Sequence, residues 1–338
     1  MKRTHLKVAA LCGPLVLAAC DSSPAPAAAD ITAATGTNTV QFAINNMFMP
    51  TDKYQYSGDL DGDGKPDNAL SNIIALVNAA NIDSQTSVTA SFASGLVSIL
   101  FEAQTTDAAL QNASATGVTY YSGKKPANPP KYDGTDNLTV DPAIASAEFF
   151  GNIAGGAFSS NASATTTHPV SLQLKLALVP NQDPVVLPMN GVHLGFTTAD
   201  GKVGSTCTYS TKDTNLPCGS ISGSVKITDL AGQVLPAVST ALTAQMMADP
   251  NGPRTKTIEM MFDTGGCTDA NGVAAKPMDL TVTPCELAGS STIGTLLAPD
   301  VKVYDGGNYK PTPNAAPADK DSLSVGLGFT AVPVKITK

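Results

Sequence analysis

Ser322-Leu323-Ser324-Val325-Gly326-Leu327-Gly328-Phe329-Thr330-Ala331 alternates without interruption between a large apolar residue and a small or polar one. A period of two is the signature of a strand with one face on a core. Around Pro333 the phase slips, which marks a bulge or an edge. The same period recurs upstream. Leu172, Leu174, Leu176 and Leu178 alternate with Gln173 and Lys175 between them, and Val192, Leu194 and Phe196 repeat the pattern, which puts His193 on the opposite face. Val97, Ile99 and Phe101 mark a further strand face, preceded by a looser alternation of Val88, Ala90 and Phe92 with a phase shift at Gly95. Short alternating runs separated by Gly, Pro and Asn turns predict a mainly β chain, specifically an antiparallel β-sandwich over residues 86–228 completed by final strands from 322–337.

Two regions break this rhythm. Over 39–85 a short strand (Val40, Phe42, Ile44) leads through an acidic loop into Leu70, Ile73, Ile74 and Val77, which recur at helical spacing. Over 229–300, Leu235, Val238, Leu242 and Met246 share one helical face with Pro236 suited to a first turn, and Ile258, Met261 and Phe262 suggest a second short helix. This region reads as a helical insertion before the last strand, followed by a polar loop over 301–321.

The acidic loop is Asp59-Leu60-Asp61-Gly62-Asp63-Gly64-Lys65-Pro66-Asp67. Carboxylates fall at positions 1, 3, 5 and 9, with glycine at position 6. A hard dication takes six to eight oxygens at roughly 2.3–2.6 Å, which alternate residues of a tight loop can supply. The expected ligands are Asp59, Asp61, Asp63, the carbonyl of Lys65, and Asp67, and the expected ion is Ca²⁺ in a structural role. Over about ten residues the loop resembles the calcium loops of EF-hand, dockerin and integrin-type repeat proteins. Leu70 stands where the EF-hand has its bidentate glutamate, which suits weak, extracellular-type affinity of roughly 10⁻⁴–10⁻³ M. A fainter echo pairs Asp263, in Phe262-Asp263-Thr264-Gly265-Gly266-Cys267, with Glu286, in Pro284-Cys285-Glu286-Leu287. They read as the two ends of a split loop and form a second metal candidate. The rival reading is a disulfide-closed loop between helices.

The N-terminus is an address. Lys2, Arg3 and Lys7 precede an apolar run, Val8 to Ala19, that is too short to span a bilayer and reads as a secretory signal over 1–19. Leu17-Ala18-Ala19-Cys20 resembles the bacterial lipobox, which implies that Cys20 is lipidated and becomes the first residue. Residues 20–38, rich in Ala, Ser, Thr and Pro, read as a flexible tether reaching at most roughly 60 Å. Lipobox, acidic loop with its Asn-Ala-Leu helix start, and terminal Ser-Val-Gly-Leu-Gly-Phe-Thr-Ala strand together resemble exported lipoproteins of Gram-negative bacteria for which no activity is agreed. The resemblance implies the cell envelope, at the periplasmic face of the inner membrane or at the outer membrane, and no particular reaction.

Composition bounds the rest. The chain of 338 residues carries a formal charge of −8, and three of its 20 basic residues leave with the signal. An acidic chain with no basic run argues against nucleic acid. Cys207, Cys218, Cys267 and Cys285 form an even set in an exported chain and suggest two disulfides. Three pairings are open, and Cys207–Cys218 with Cys267–Cys285 closes the shortest loops. For catalysis there is no Gly-x-Ser-x-Gly elbow, and His168 and His193 are expected at the surface. The expected function is a non-catalytic envelope module binding a protein or glycan, anchored to the membrane by its lipid. The alternative is a lipid-anchored hydrolase of glycans or esters.

Overall fold

A computed structural model describes residues 30–79, 83–162, 165–178, 182–199, 202–203, 219–269 and 272–338. In chain order the elements are β1 (Asn38–Phe48), α1 (Leu70–Ala79), α2 (Ser84–Ala93), β2 (Ile99–Thr105), β3 (Ala113–Ser122), β4 (Asn137–Thr139), β5 (Ala147–Ala154), β6 (Ala157–Ser160), β7 (Ser171–Leu176), β8 (Val185–Ala199), β9 (Lys202–Val203) and β10 (Gly219–Lys226). Then follow α3 (Ile227–Ala248), α4 (Pro253–Phe262), α5 (Pro284–Gly289), α6 (Ser291–Leu296), the short hairpin β11 (Tyr304–Asp305) and β12 (Asn308–Tyr309), β13 (Ser322–Pro333) and β14 (Lys335–Thr337).

The expected β-rich class is correct, but the sheet is a barrel. Neighbours run β10-β13-β1-β2-β3-β5-β6-β8, and β8 then pairs with β10 to close an antiparallel ring of eight strands. Closure rests on the length of β8, 15 residues. Its residues 195–197 pair with β6 while Asn190 to Gly195 pair with β10, and its first half carries β7. An eight-stranded ring is just wide enough for side chains to fill it. Here aromatic rings do so. Phe101 lies 5.4 Å from Phe42, 5.7 Å from Phe329 and 5.9 Å from Tyr120, centroid to centroid. Phe196 bridges Phe42 (5.5 Å) and Phe158 (4.9 Å). The interior is a packed core.

In β13 the alternation holds as read, with Leu323, Val325, Leu327, Phe329 and Ala331 inside. Its other face is not solvated, because Ser322 and Ser324 are also buried. A Cβ on Gly326 would stand 2.2 Å from the Tyr56 carbonyl oxygen, and one on Gly328 would stand 2.3 Å from the Tyr56 ring. The small residues of this strand are the floor on which the acidic loop sits.

Three sequence expectations are corrected. Residues 84–93 are a helix, not the first sandwich strand. Asp83 caps it, accepting from the Thr86 amide at 2.9 Å, and Val88 and Phe92 bury themselves one helical turn apart. Val88 and Phe92 satisfy either period, while Ala90 between them is exposed, and the cap decides for the helix. Pro236 lies inside α3, not in its first turn. An interior proline costs roughly 3 kcal/mol, offset here by eight buried side chains along the helix, from Leu230 to Met246. The segment 301–321 is not simply polar. Val301 and Val303 are fully buried against Leu60, with Tyr304 and Tyr309 packed on them. Among the described residues no helix is long and apolar enough to cross a membrane. The signal, Cys20, and Cys207 with Cys218 lie outside the described residues.

Candidate metal centre

The acidic loop closes on itself through an isolated bridge, with the Asp67 amide donating to the Gly58 carbonyl at 2.9 Å. Gly62 and Gly64 adopt φ of +86° and +81°, a region that other residues enter at a cost. Their amides donate to the two Asp59 oxygens at 2.8 and 3.1 Å. The Asp63 amide donates to Asp61 (3.1 Å), and the Leu60 amide to Asp67 (3.0 Å). These bonds turn three carboxylates inward. Asp59, Asp61 and Asp67 each bring one oxygen within 4.8 Å of the others, a group able to hold a metal ion.

One expected ligand, Asp63, stands elsewhere. Asp63 pairs with the Lys65 ammonium at 2.8 Å and also accepts from the Lys65 amide. That local ion pair forms between residues two apart and keeps the Asp63 carboxylate out of the inward group. Leu70, at the twelfth position, is buried in the core, so the loop has no ligand there.

Electrostatics concentrate on the inner pair. Asp61 is 4% exposed. Burial raises its pKa against the Asp63 amide bond, and the Asp63 and Asp59 charges raise it further. Burial pushes Asp67 up to about 7, opposed by the Leu60 amide and reinforced by Asp61, Asp300 and Asp63. Asp300 is itself raised by burial despite two bonds from Ser324. Carboxylates crowded in this way resist ionising together unless a cation joins them. The donor set is all oxygen and fits a hard ion with three carboxylates; carbonyls or water must complete the shell.

The loop is locked to the barrel by residues that sequence reasoning missed. The Asn68 side chain, 2% exposed, mimics a strand. Its amide donates to the Gln55 carbonyl (2.7 Å) and the Gly326 carbonyl (3.0 Å), and its oxygen accepts from the Gly326 amide (3.0 Å). Next to it, the Ala69 amide donates to Ser324 Oγ at 2.7 Å, and that hydroxyl donates to Asp300. Leu60 plugs the small cluster with Val301 and Val303. Asn68 stands in the Asn-Ala-Leu start noted in the sequence, but its partner is 258 residues away.

The second candidate is differently used. Glu286 is buried, and both its oxygens are occupied, by the Gly265 amide (2.7 Å) and by the Thr283 amide and hydroxyl (2.8 Å each). It completes a capping box on α5. Asp263 accepts from the Leu280 amide at 3.0 Å, and its other oxygen is buried with no hydrogen-bond partner among the described residues. The Cys267–Cys285 disulfide joins the two segments, as the local pairing expected.

Of the two histidines expected at the surface, His168 is there and His193 is not. His168 is exposed but sits 3.6 Å from Asp30. His193 is half-buried and touches Ser160, with Nδ1 3.0 Å from Oγ and 3.2 Å from the Asn161 carbonyl. A carbonyl only accepts, so the proton belongs on Nδ1. Ser160 Oγ also takes the Leu194 amide at 2.9 Å. A nitrogen that already carries a proton held by the Asn161 carbonyl cannot act as the base for the Ser160 hydroxyl. The pair is structural.

Compared with known proteins, no family model matches the chain, and neither a curated protein nor a solved structure is significantly similar to it.

Proposed function

We propose that this chain is a lipid-anchored cell-envelope protein, held through Cys20, whose barrel is a non-catalytic binding module stapled by a structural calcium ion. The observation that carries the reading is the convergence of Asp59, Asp61 and Asp67 within 4.8 Å on a loop whose next two residues are bonded to β13. Oxygen-only ligands favour Ca²⁺ over the transition metals, which prefer imidazole and thiolate. Calcium there neutralises the inner carboxylates and fixes Asn68 and Ala69 on the strand, so its role is to rigidify rather than to react. The structural pairing of Ser160 with His193 favours a binding role over the Ser–His form of the alternative, ester hydrolysis through an activated serine. The partner is a protein or small ligand of the envelope, and the acidic chain does not suit nucleic acid.

Calorimetric titration of the metal-free protein with calcium tests the site. One ion is expected, with a dissociation constant of roughly 10⁻⁴–10⁻³ M, lost in Asp61→Asn. Equal binding by the variant would remove the staple. Labelling of the wild type with radioactive palmitate, absent in Cys20→Ser, tests the anchor.

A further inference from the structure

A cleft of about 390 Å³ lies between β5, β6 and the segment that leads into β7. That volume is at the low end of small-molecule sites. Its apolar lining includes Phe150, Pro169, Val170 and Val192.

The polar groups around it are nearly all committed. The Asn161 amide exchanges two bonds with the backbone of Ile31, at 3.1 and 2.8 Å. Ser160 is held by Leu194 and His193, and Ser171 donates to Asn190 at 2.8 Å. Thr166 donates to Asp30 at 2.9 Å. Asp30 is further bound by the amide and hydroxyl of Thr167 (2.7 and 3.0 Å), and its carboxylate lies 3.6 Å from His168, which lines the cleft.

Glu148 is different. It lines the cleft, is exposed, and nothing among the described residues pairs with its carboxylate. Its Oε1 and the edge of the half-exposed Phe150 ring both overhang Gly117, 3.6 and 3.3 Å from where a Cβ there would stand. No lysine or arginine occurs among the described residues that line the cleft.

A polyol needs donors as well as acceptors, and the free group here only accepts. A carboxylate beside an aromatic ring, over an apolar floor, instead matches a cation on an apolar body. We propose that the cleft binds a small organic cation, a primary or quaternary ammonium on a short apolar body. The ammonium sits between Glu148 and Phe150, and the body lies against Val170 and Val192. This deepens the binding-module reading and depends on it, but it does not depend on the calcium site.

Calorimetry on the full chain in calcium tests it, with choline, cadaverine and the uncharged choline isostere 3,3-dimethylbutan-1-ol as probes. Saturable binding of choline or cadaverine is expected, with the isostere weaker than choline by roughly tenfold or more. Glu148→Gln should weaken the cation by a similar roughly tenfold factor, and Phe150→Leu by severalfold. Both residues reach the surface, so the melting temperature should not move, and it serves as the check on folding. No saturable binding of either cation, an isostere that binds as tightly as choline, or a Glu148→Gln variant that binds like the wild type would each overturn the proposal. Each of those results leaves the calcium titration untouched. Loss of the calcium response with cation binding retained would sink only the staple.

Discussion

Replacing Asn68 with alanine removes the clamp between the acidic loop and the barrel while leaving all three inward carboxylates in place. The side chain makes three hydrogen bonds, at 2.7, 3.0 and 3.0 Å, in a site where it is 2% exposed. A net hydrogen bond contributes about 1 kcal/mol, and a buried group left unpaired costs more. The loss should therefore be about 3 kcal/mol. For a domain of this size that is a fall in melting temperature of about 6 °C, at roughly 2 °C per kcal/mol. Asn68→Asp keeps the shape but points an acceptor at two carbonyls and adds charge beside Asp67, so it should be worse than alanine. The assay is denaturant unfolding followed by circular dichroism in saturating calcium, with the disulfide intact. An alanine variant within about 0.5 kcal/mol of wild type, or an aspartate variant more stable than the alanine one, would refute the clamp.

Three further outcomes are expected. Because burial pushes Asp67 up to about 7, protons compete with calcium for it, so affinity should fall as pH drops through that value; calorimetry at about pH 8 and about pH 5.5 should show this, and a flat profile would remove Asp67 from the ligands. Burial lowers the pKa of His193 against the Asn161 carbonyl bond, so folding favours the neutral ring and the unfolded chain binds more protons near its ordinary value of 6.5. Stability should fall as pH drops below that value, and His193→Gln should flatten the trend; identical pH profiles would contradict it. Gly326→Ala would drive a Cβ to 2.2 Å from the Tyr56 carbonyl oxygen, a backbone contact that cannot swing away. A loss of about 2 kcal/mol or more is expected in thermal melts, and a neutral effect would mean that the loop is not seated on β13.

The parts legible in the sequence were those set by local periodicity. The strand faces of β7, β8 and β13 and the buried side of α3 follow from spacing alone. Barrel closure does not, because it depends on which strands β8 pairs with, and an alternating strand reads alike in a sandwich and in a ring. The helix α2 was misread because Val88 and Phe92 fit both periods, and Asp83 supplied the missing sign. At the site, positions 1, 3 and 9 of the loop could be read, since tight-turn geometry fixes where Asp59, Asp61 and Asp67 point. Asp63 was lost to Lys65 two residues on, a competition that spacing does not rank. The Ser and Gly positions of β13 looked like a solvated face. Their purpose appears only when Asn68 and Tyr56 arrive from the far end of the chain.

The most direct measurement is the melting temperature of the wild type and of Asp61→Asn, each in chelator, in calcium and in magnesium at equal concentration. With calcium at about a hundred times its dissociation constant, linkage gives roughly 2.7 kcal/mol. That is a rise of about 5 °C for a domain of this size. The expected result is that rise in the wild type with calcium, a smaller one with magnesium, and none in Asp61→Asn. A wild type that melts at one temperature in calcium and in chelator, or an Asp61→Asn variant that gains as much as the wild type, would contradict the calcium staple.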